Sequence, residues 1–140
     1  MIAPQAIALI LGLGGNVSSL SELDGAVSRG LSKQSVTRLV SRAATDVKAA
    51  RALRDQVVPL ATWKRTKGKL SVAASERAER MARVLAYAEY VWDDTDQARA
   101  WMNRPHGELQ GQTPLEAAKT ELGARRVEDV LDKLFYGLPV

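Results

Sequence analysis

The sequence predicts an all-α protein. Three observations carry that reading. Apolar residues recur at i, i+3, i+4 and i+7 in segment after segment, and capping residues stand where those stripes begin. No stretch sustains the period-2 alternation of β-branched residues that a half-buried strand shows. With 140 residues, 46% apolar and 26% charged, the chain can bury a real core as one domain or as two small packed subdomains.

Along the chain, Ile7, Ile10 and Leu11 fit a short apolar helix, serving either the core or a dimer contact. Gly12-Leu13-Gly14-Gly15 then reads as a helix stop and a turn. Leu20, Leu23 and Val27 fall on one helical face, closed by Gly30. Ser32 is placed to cap a helix whose stripe is Val36, Leu39, Val40 and Ala43. A helix over 47–54 precedes Pro59, which opens a short helix through Lys67, stopped by Gly68. The longest helix spans 76–92, with Met81, Leu85, Ala88 and Trp92 inward and the acid-first pairs Glu76–Arg80 and Glu79–Arg83 outward. Asp94 with Gln97 looks like a capping box for a helix through Ala98 and Trp101. Thr113-Pro114-Leu115-Glu116 is a stronger start, and Gly123 is expected to end that helix as its left-handed C′ residue. The last helix sets Val127, Val130, Leu131 and Leu134 on one side, with Asp129 and Lys133 paired outside.

Composition narrows the function classes. No cysteine is present, which excludes a disulfide framework or a zinc–thiolate site and fits a reducing cytoplasm. Residues 1–13 are apolar but lack a basic lead and are too short to span a bilayer, so neither a signal peptide nor a membrane helix is expected. The formal charge of +4 hides a division: residues 1–70 hold 11 Lys/Arg against 4 Asp/Glu, and residues 71–140 hold 9 against 12. The first half suits a polyanion, the second a neutral or basic partner.

In the basic half, the short helix after Pro59 carries Thr62, Lys64, Arg65 and Lys67, with Lys69 just beyond, while Leu60 and Trp63 are expected to face inward. Two short helices, the second basic and polar, resemble a helix-turn-helix, whose second helix enters the major groove. Lysine and arginine there suit phosphates and guanine edges, and threonine suits a phosphate or a thymine methyl. A solvated basic face is the alternative. The connection from Asp55 to Pro59 lacks a glycine, so the angle between the two helices stays open.

The acidic half closes on Phe135-Tyr136-Gly137-Leu138-Pro139-Val140, two aromatics, a glycine and a proline directly after an apolar-striped helix. Terminal residues are usually polar and poorly ordered. An apolar segment of restricted shape suits insertion, either into its own core or into a partner. An enzymatic reading finds little support. His106 sits in a loop between Pro105 and Gly107, Glu128, Asp129 and Asp132 read as a solvated helix face, and the early glycines lack the strand and the Gly-Lys-Ser/Thr of a phosphate loop. No cofactor or metal is expected.

Several motifs resemble one family. Trp101-Met102-Asn103-Arg104-Pro105, Leu109-Gln110-Gly111-Gln112-Thr113-Pro114-Leu115 and the closing Gly123, Val127, Leu131 and Tyr136-Gly137 are similar to the Xre/MbcA/ParS antitoxins. Gly30-Leu31-Ser32 and the run from Thr62 to Leu70-Ser71 also fall where that family has a helix start and a recognition segment. The resemblance is strong over 98–137 and weaker over 1–70. It implies an N-terminal Xre-like, helix-turn-helix-like subdomain (1–70) for DNA binding and dimerisation, followed by a toxin-binding helical subdomain (71–140). It further implies a homodimer, within a hetero-oligomer, that neutralises a RES-domain toxin, an enzyme that degrades NAD or transfers ADP-ribose. The terminal residues would obstruct the toxin's NAD pocket, and the N-terminal helices would repress the operon by binding operator DNA. Carried onto this sequence, the toxin-binding residues are Trp101, Arg104, Phe135, Tyr136, Gly137, Leu138, Pro139 and Val140, and the DNA-binding residues are Thr62, Lys64, Arg65, Lys67 and Lys69.

The segment's chemistry agrees. A nicotinamide–ribose pocket is concave and mostly apolar with a few polar groups. Tyr136 offers a rigid ring with a hydroxyl, Gly137 permits close backbone approach, and Pro139 lowers the ordering cost. A carboxylate at Val140 suits an arginine that otherwise holds an NAD phosphate. Phe135 and Leu138 fold back on the core in the competing reading, and Phe135 alone belongs to the core in a mixed one. A stand-alone helix-turn-helix regulator, whose C-terminal part only dimerises, is the alternative of different class.

Overall fold

The computed structural model describes residues 2–139, and among them nine α-helices and no strand form. They are α1 (Pro4–Leu11), α2 (Leu20–Ser28), α3 (Lys33–Ala43), α4 (Val47–Val57), α5 (Leu60–Arg65), α6 (Val72–Trp92), α7 (Thr95–Met102), α8 (Pro114–Ala117) and α9 (Glu121–Phe135). The all-helical expectation holds. None of these helices is long and apolar enough to cross a membrane.

Local chemistry starts most of them. Ser19, Ser32, Asp46, Ser71, Asp94, Thr113 and Thr120 each accept a hydrogen bond from the backbone N–H three residues on, satisfying a donor that the helix itself leaves unmade. At α8 the full box forms, with Glu116 reaching back to the Thr113 N–H. Asp94 supplies only its half of the expected box, accepting from the Gln97 N–H.

The spine is α6, 21 residues long, around which α1, α2, α3, α4, α7 and α9 are arranged. Its buried set includes Ala74, Ala78, Ala82, Ala86 and Ala88, small side chains that let neighbouring backbones come close, with Met81, Val84 and Leu85 filling the gaps. One hydrophobic core results. It runs from Ile7 through Leu31, Leu39 and Val58 to Trp101, Leu109 and Leu131, across the change of charge at residue 70. Ile7, Ile10 and Leu11 of α1 lie in it, which answers the choice left open for the first helix, while Leu9 on the opposite face is 68% exposed.

Two local expectations are corrected. Gly123 does not end a helix after Thr113. The helix there is the four-residue α8, and Gly123 is the third residue of α9, its N–H donating to the Thr120 hydroxyl. A Cβ on Gly123 would lie 1.7 Å from the Ala117 carbonyl oxygen, so its job is close approach between α8 and α9. Nor do Arg80 and Arg83 pair along α6. Both reach across to α9, Arg80 to Glu121 at 3.2 Å and Arg83 to Glu121 at 3.3 Å and Glu128 at 3.5 Å. Lys133 likewise pairs with Glu108 at 3.3 Å rather than with Asp129.

Magnitudes rank these contacts. Each fully buried side chain such as Val127 or Leu131 contributes roughly 1.5–3 kcal/mol, against about 0–1 kcal/mol for a part-exposed ion pair. The apolar stripe therefore seats α9 on α6, and the arginines fix its register. They do so beside unfavourable charge: burial, working against Arg83, raises the Glu79 carboxyl above its ordinary value, and burial does the same to Glu128.

Two outcomes follow from this packing. Gly123→Ala should cost about 3 kcal/mol or more in urea denaturation, because the added carbon meets backbone rather than a movable side chain. Gly68→Ala, which meets nothing within 4 Å, should be near neutral. The second concerns pH. A carboxyl whose folded pKa is raised binds its proton more tightly in the folded state, so stability drops as pH rises through that value. Glu79→Gln should therefore be more stable than wild type at pH 7, with the difference vanishing below the ordinary value of 4.5. A less stable variant at pH 7 would show that the Arg83 attraction outweighs the burial cost.

Candidate functional site

The C-terminal end of α9 is built to hold the segment that follows it. The last turn closes with Tyr136 N–H donating to the Asp132 carbonyl at 3.0 Å. Gly137 then takes φ +69°, and its N–H donates to the Leu134 carbonyl at 3.3 Å, while Leu138 N–H donates back to the Lys133 carbonyl at 2.8 Å. This is a Schellman cap, in which the residue after the C-cap must turn left-handed and glycine does so without a Cβ penalty. Gly137 thus has a conformational role, and open space surrounds it.

Around that cap the large side chains stand outward. Phe135 is 45% exposed, Tyr136 71% and Leu138 56%. Leu138 and Tyr136 do not fold back on the core. Phe135 is exposed as well, but its ring rests on Tyr90 of α6 at 5.4 Å between centroids, and Tyr136 meets it edge-on at 5.0 Å. Pro139 is exposed, and Val140 lies outside the described residues.

Beneath the segment, α9 is braced on several sides. Tyr87 of α6 donates its hydroxyl to Asp132, and burial followed by that carboxylate raises the Tyr87 pKa. Arg126 donates to the Glu108 carbonyl at 3.2 Å and also to the Gln110 side chain, tying α9 to the turn before α8. Trp101 sits deeper. It is 3% exposed, packs against the His106 ring at 4.9 Å, and its carbonyl lies 3.2 Å from His106 Nε2. Its indole is thus a core element that shapes the 103–113 turn and offers no contact surface, whereas Arg104 beside it is exposed. His106, read from sequence as a surface residue, is half-buried against that indole.

The basic candidates gather on the other side of the chain's charge division. The first helix of the pair runs to Val57, longer than its expected end at 54. Val57 and Val58 are buried and anchor the glycine-free connection in the core, while Asp55, Gln56 and Pro59 are exposed. Pro59 is the N-cap of α5 rather than its first residue, and α5 ends at Arg65, with Thr66 as its C-cap, before Gly68. No residue of α5 is buried, and Leu60 is 42% exposed, against the expectation that it faces inward. Trp63 anchors the helix instead, its ring flanked by the Lys33 ammonium and the Arg54 guanidinium, each 5.0 Å from the centroid. Lys33 also donates to the Thr66 carbonyl at 3.0 Å, and Arg77 of α6 to the Val57 carbonyl at 2.8 Å.

With Lys33 and Arg54 turned to internal work, Lys64, Arg65, Lys67 and Lys69 are left exposed together, and Thr62 is half-buried behind them. The sequence reading missed Lys33, Arg54 and Tyr90. A signal existed only for Tyr90, an aromatic outside the inward stripe of Met81, Leu85, Ala88 and Trp92. Among the described residues no cluster of His, Cys, Asp or Glu is arranged to hold a metal ion.

Comparison with known proteins falls on the segment-bearing half. Residues 88–137, from the last turns of α6 to Gly137, match the model of the antitoxin Xre/MbcA/ParS C-terminal toxin-binding domain. The chain is also similar to Antitoxin Xre of Pseudomonas putida, 33% identical over 87 residues, which cover 60% of this chain and 55% of that protein. The match thus spans only about half of that relative's length. The capped α9, the tryptophan-supported turn and the Thr113–Glu116 box all lie within the matched region, and over residues 88–137 the chain is similar to the toxin-binding domain of the Xre/MbcA/ParS antitoxins.

Proposed function

We propose that this chain is the antitoxin of a toxin–antitoxin pair, that its partner is a RES-domain toxin, and that residues 136–140 occupy the toxin's NAD pocket. The single observation that carries the reading is the presented segment: three large apolar side chains, Phe135, Tyr136 and Leu138, held outward by a capped helix. Exposed apolar residues on a fixed backbone cost little to order on binding, and buried aromatics dominate interface energies. Tyr136 is the anchor of the segment and Leu138 and Pro139 fill the space behind it. Phe135, resting on Tyr90, forms the shoulder at which the inserted part begins. Arg104 adds a rim contact, and Trp101 contributes by holding the turn that carries Arg104.

Inhibition of this kind needs no chemistry from the antitoxin. It acts by occupying the volume that the substrate needs, so the chain is read as a non-enzymatic inhibitor without a cofactor. A homodimer within a larger toxin–antitoxin assembly is part of the same proposal.

The exposed cluster Lys64, Arg65, Lys67 and Lys69, with Thr62 behind it, supports a second role as an operator-binding surface. With α5 six residues long and fixed by the Trp63 clamp, phosphate contact from the cluster outweighs deep groove readout. The stand-alone regulator reading keeps this surface but leaves the outward aromatics without a task.

Deleting residues 136–140 should release NAD turnover or ADP-ribosyl transfer by the RES-domain protein of the adjacent gene, even where the two proteins still associate. Full suppression by the truncated chain would sink the pocket-occupancy mechanism. Replacing Lys64 and Arg65 together with alanine should weaken operator binding about tenfold at low salt and lower the salt slope by about 2. Unchanged affinity and slope would remove the DNA role from α5.

A further inference from the structure

The matched toxin-binding region stops at residue 88 on its N-terminal side, yet the surface bearing the segment continues past it. Tyr90 touches Phe135 on one side. On the other it lines a shallow groove of about 390 Å³ between α6 and α1, whose other walls include Ile2, Ala6 and Leu9. Leu9 is 68% exposed and Tyr90 58%. Leu9 and Tyr90 line this groove together, with Glu89 also in its wall, and the Tyr90, Phe135 and Tyr136 rings follow one another in contact, so a strip of exposed apolar side chains leads from the first helix to the last.

We propose that α1 is part of the toxin-binding surface, with Leu9 and the α1/α6 groove receiving an apolar rim of the toxin beside the mouth of the pocket that takes Tyr136. The inference rests on the antitoxin reading above and assigns it a second contact. Three features of the strip support it. α1 commits its other face, Ile7, Ile10 and Leu11, wholly to the core, so Leu9 is left over from folding and presented on a rigid element. The groove floor is Ala86 and the α1 side is Ala6, small residues that admit a protruding side chain rather than present one. The strip is also continuous, through the Phe135 ring, with the segment that the matched domain contributes. Contact of a partner with Tyr136 alone would leave the Leu9 end of a contiguous apolar strip in water, the kind of patch that marks an interaction site.

Leu9→Gln tests the proposal, because the side chain is mostly exposed and helix α1 keeps its core face. Binding of the full-length variant to the RES-domain protein of the adjacent gene would be measured by calorimetry, with Val47→Gln as a control at an equally exposed apolar residue of α4. The expected result is at least a fivefold loss of affinity for Leu9→Gln, none for Val47→Gln, and an unchanged mass of the free protein in light scattering. Wild-type affinity in Leu9→Gln overturns the α1 contact while leaving the antitoxin reading intact. A change in the free protein's mass also overturns it, since a second copy of this chain then covers the strip. Absence of any binding by the wild-type chain would defeat the antitoxin reading itself, and the α1 contact with it.

Discussion

Everything in this molecule leans on the burial of the central turns of α6, from Ala74 to Ala88. A helix that is covered on most sides cannot carry large residues all round, because its neighbours' backbones would be pushed out of contact with it. The alanines at 74, 78, 82, 86 and 88 meet that constraint, and Met81, Val84 and Leu85 fill what remains. Apart from the exposed Glu76, the polar residues that α6 retains are not a solvated outer face. Arg42 of α3 closes a two-pronged ion pair with Glu89 at 2.7 and 2.9 Å, Arg77 holds the connection before α5, and Arg80 and Arg83 hold α9. Each is a pin placed where an apolar contact gives adhesion but no register.

How much of this was visible in the sequence depends on the range of the interaction. Ser32, Thr113 and Thr120 act within three residues of themselves. The first two were legible from spacing alone, and the third was hidden because Gly123 was given to the wrong end of the wrong helix. Glycine marks a left-handed helix end, but it also marks a place where two backbones touch, and only the position of Ala117 in space separates the two. The same limit explains Arg80 and Arg83. Spacing of i, i+4 makes an intrahelical pair available, and a carboxylate on another helix takes the arginine when packing brings it closer. Leu60 failed for a different reason: six residues make too short a helix for a stripe to have meaning, and Trp63 alone sets its attitude.

The candidate site divides along the same line. That Phe135, Tyr136 and Leu138 form a distinctive ending was readable from composition, and so was the basic run from Lys64 to Lys69. What the sequence withheld was orientation. Whether the aromatics turn inward or outward depends on the cap at Gly137 and on Tyr90 being present to receive Phe135. Trp101 shows the converse, a motif residue whose prominence in sequence comes from filling the core beneath a turn.

The length of α6 has one more consequence. Its first residue follows directly on the basic loop, and Tyr90 near its last turn supports the aromatic strip, so 21 residues of helix separate the two surfaces by roughly 30 Å. A helix held by six neighbours acts as a spacer. Two large partners can sit at its ends without colliding, and neither can tell the other by bending α6 that it has arrived. Any dependence of one binding event on the other would have to pass through the helices packed along α6 or through the arrangement of copies of the chain.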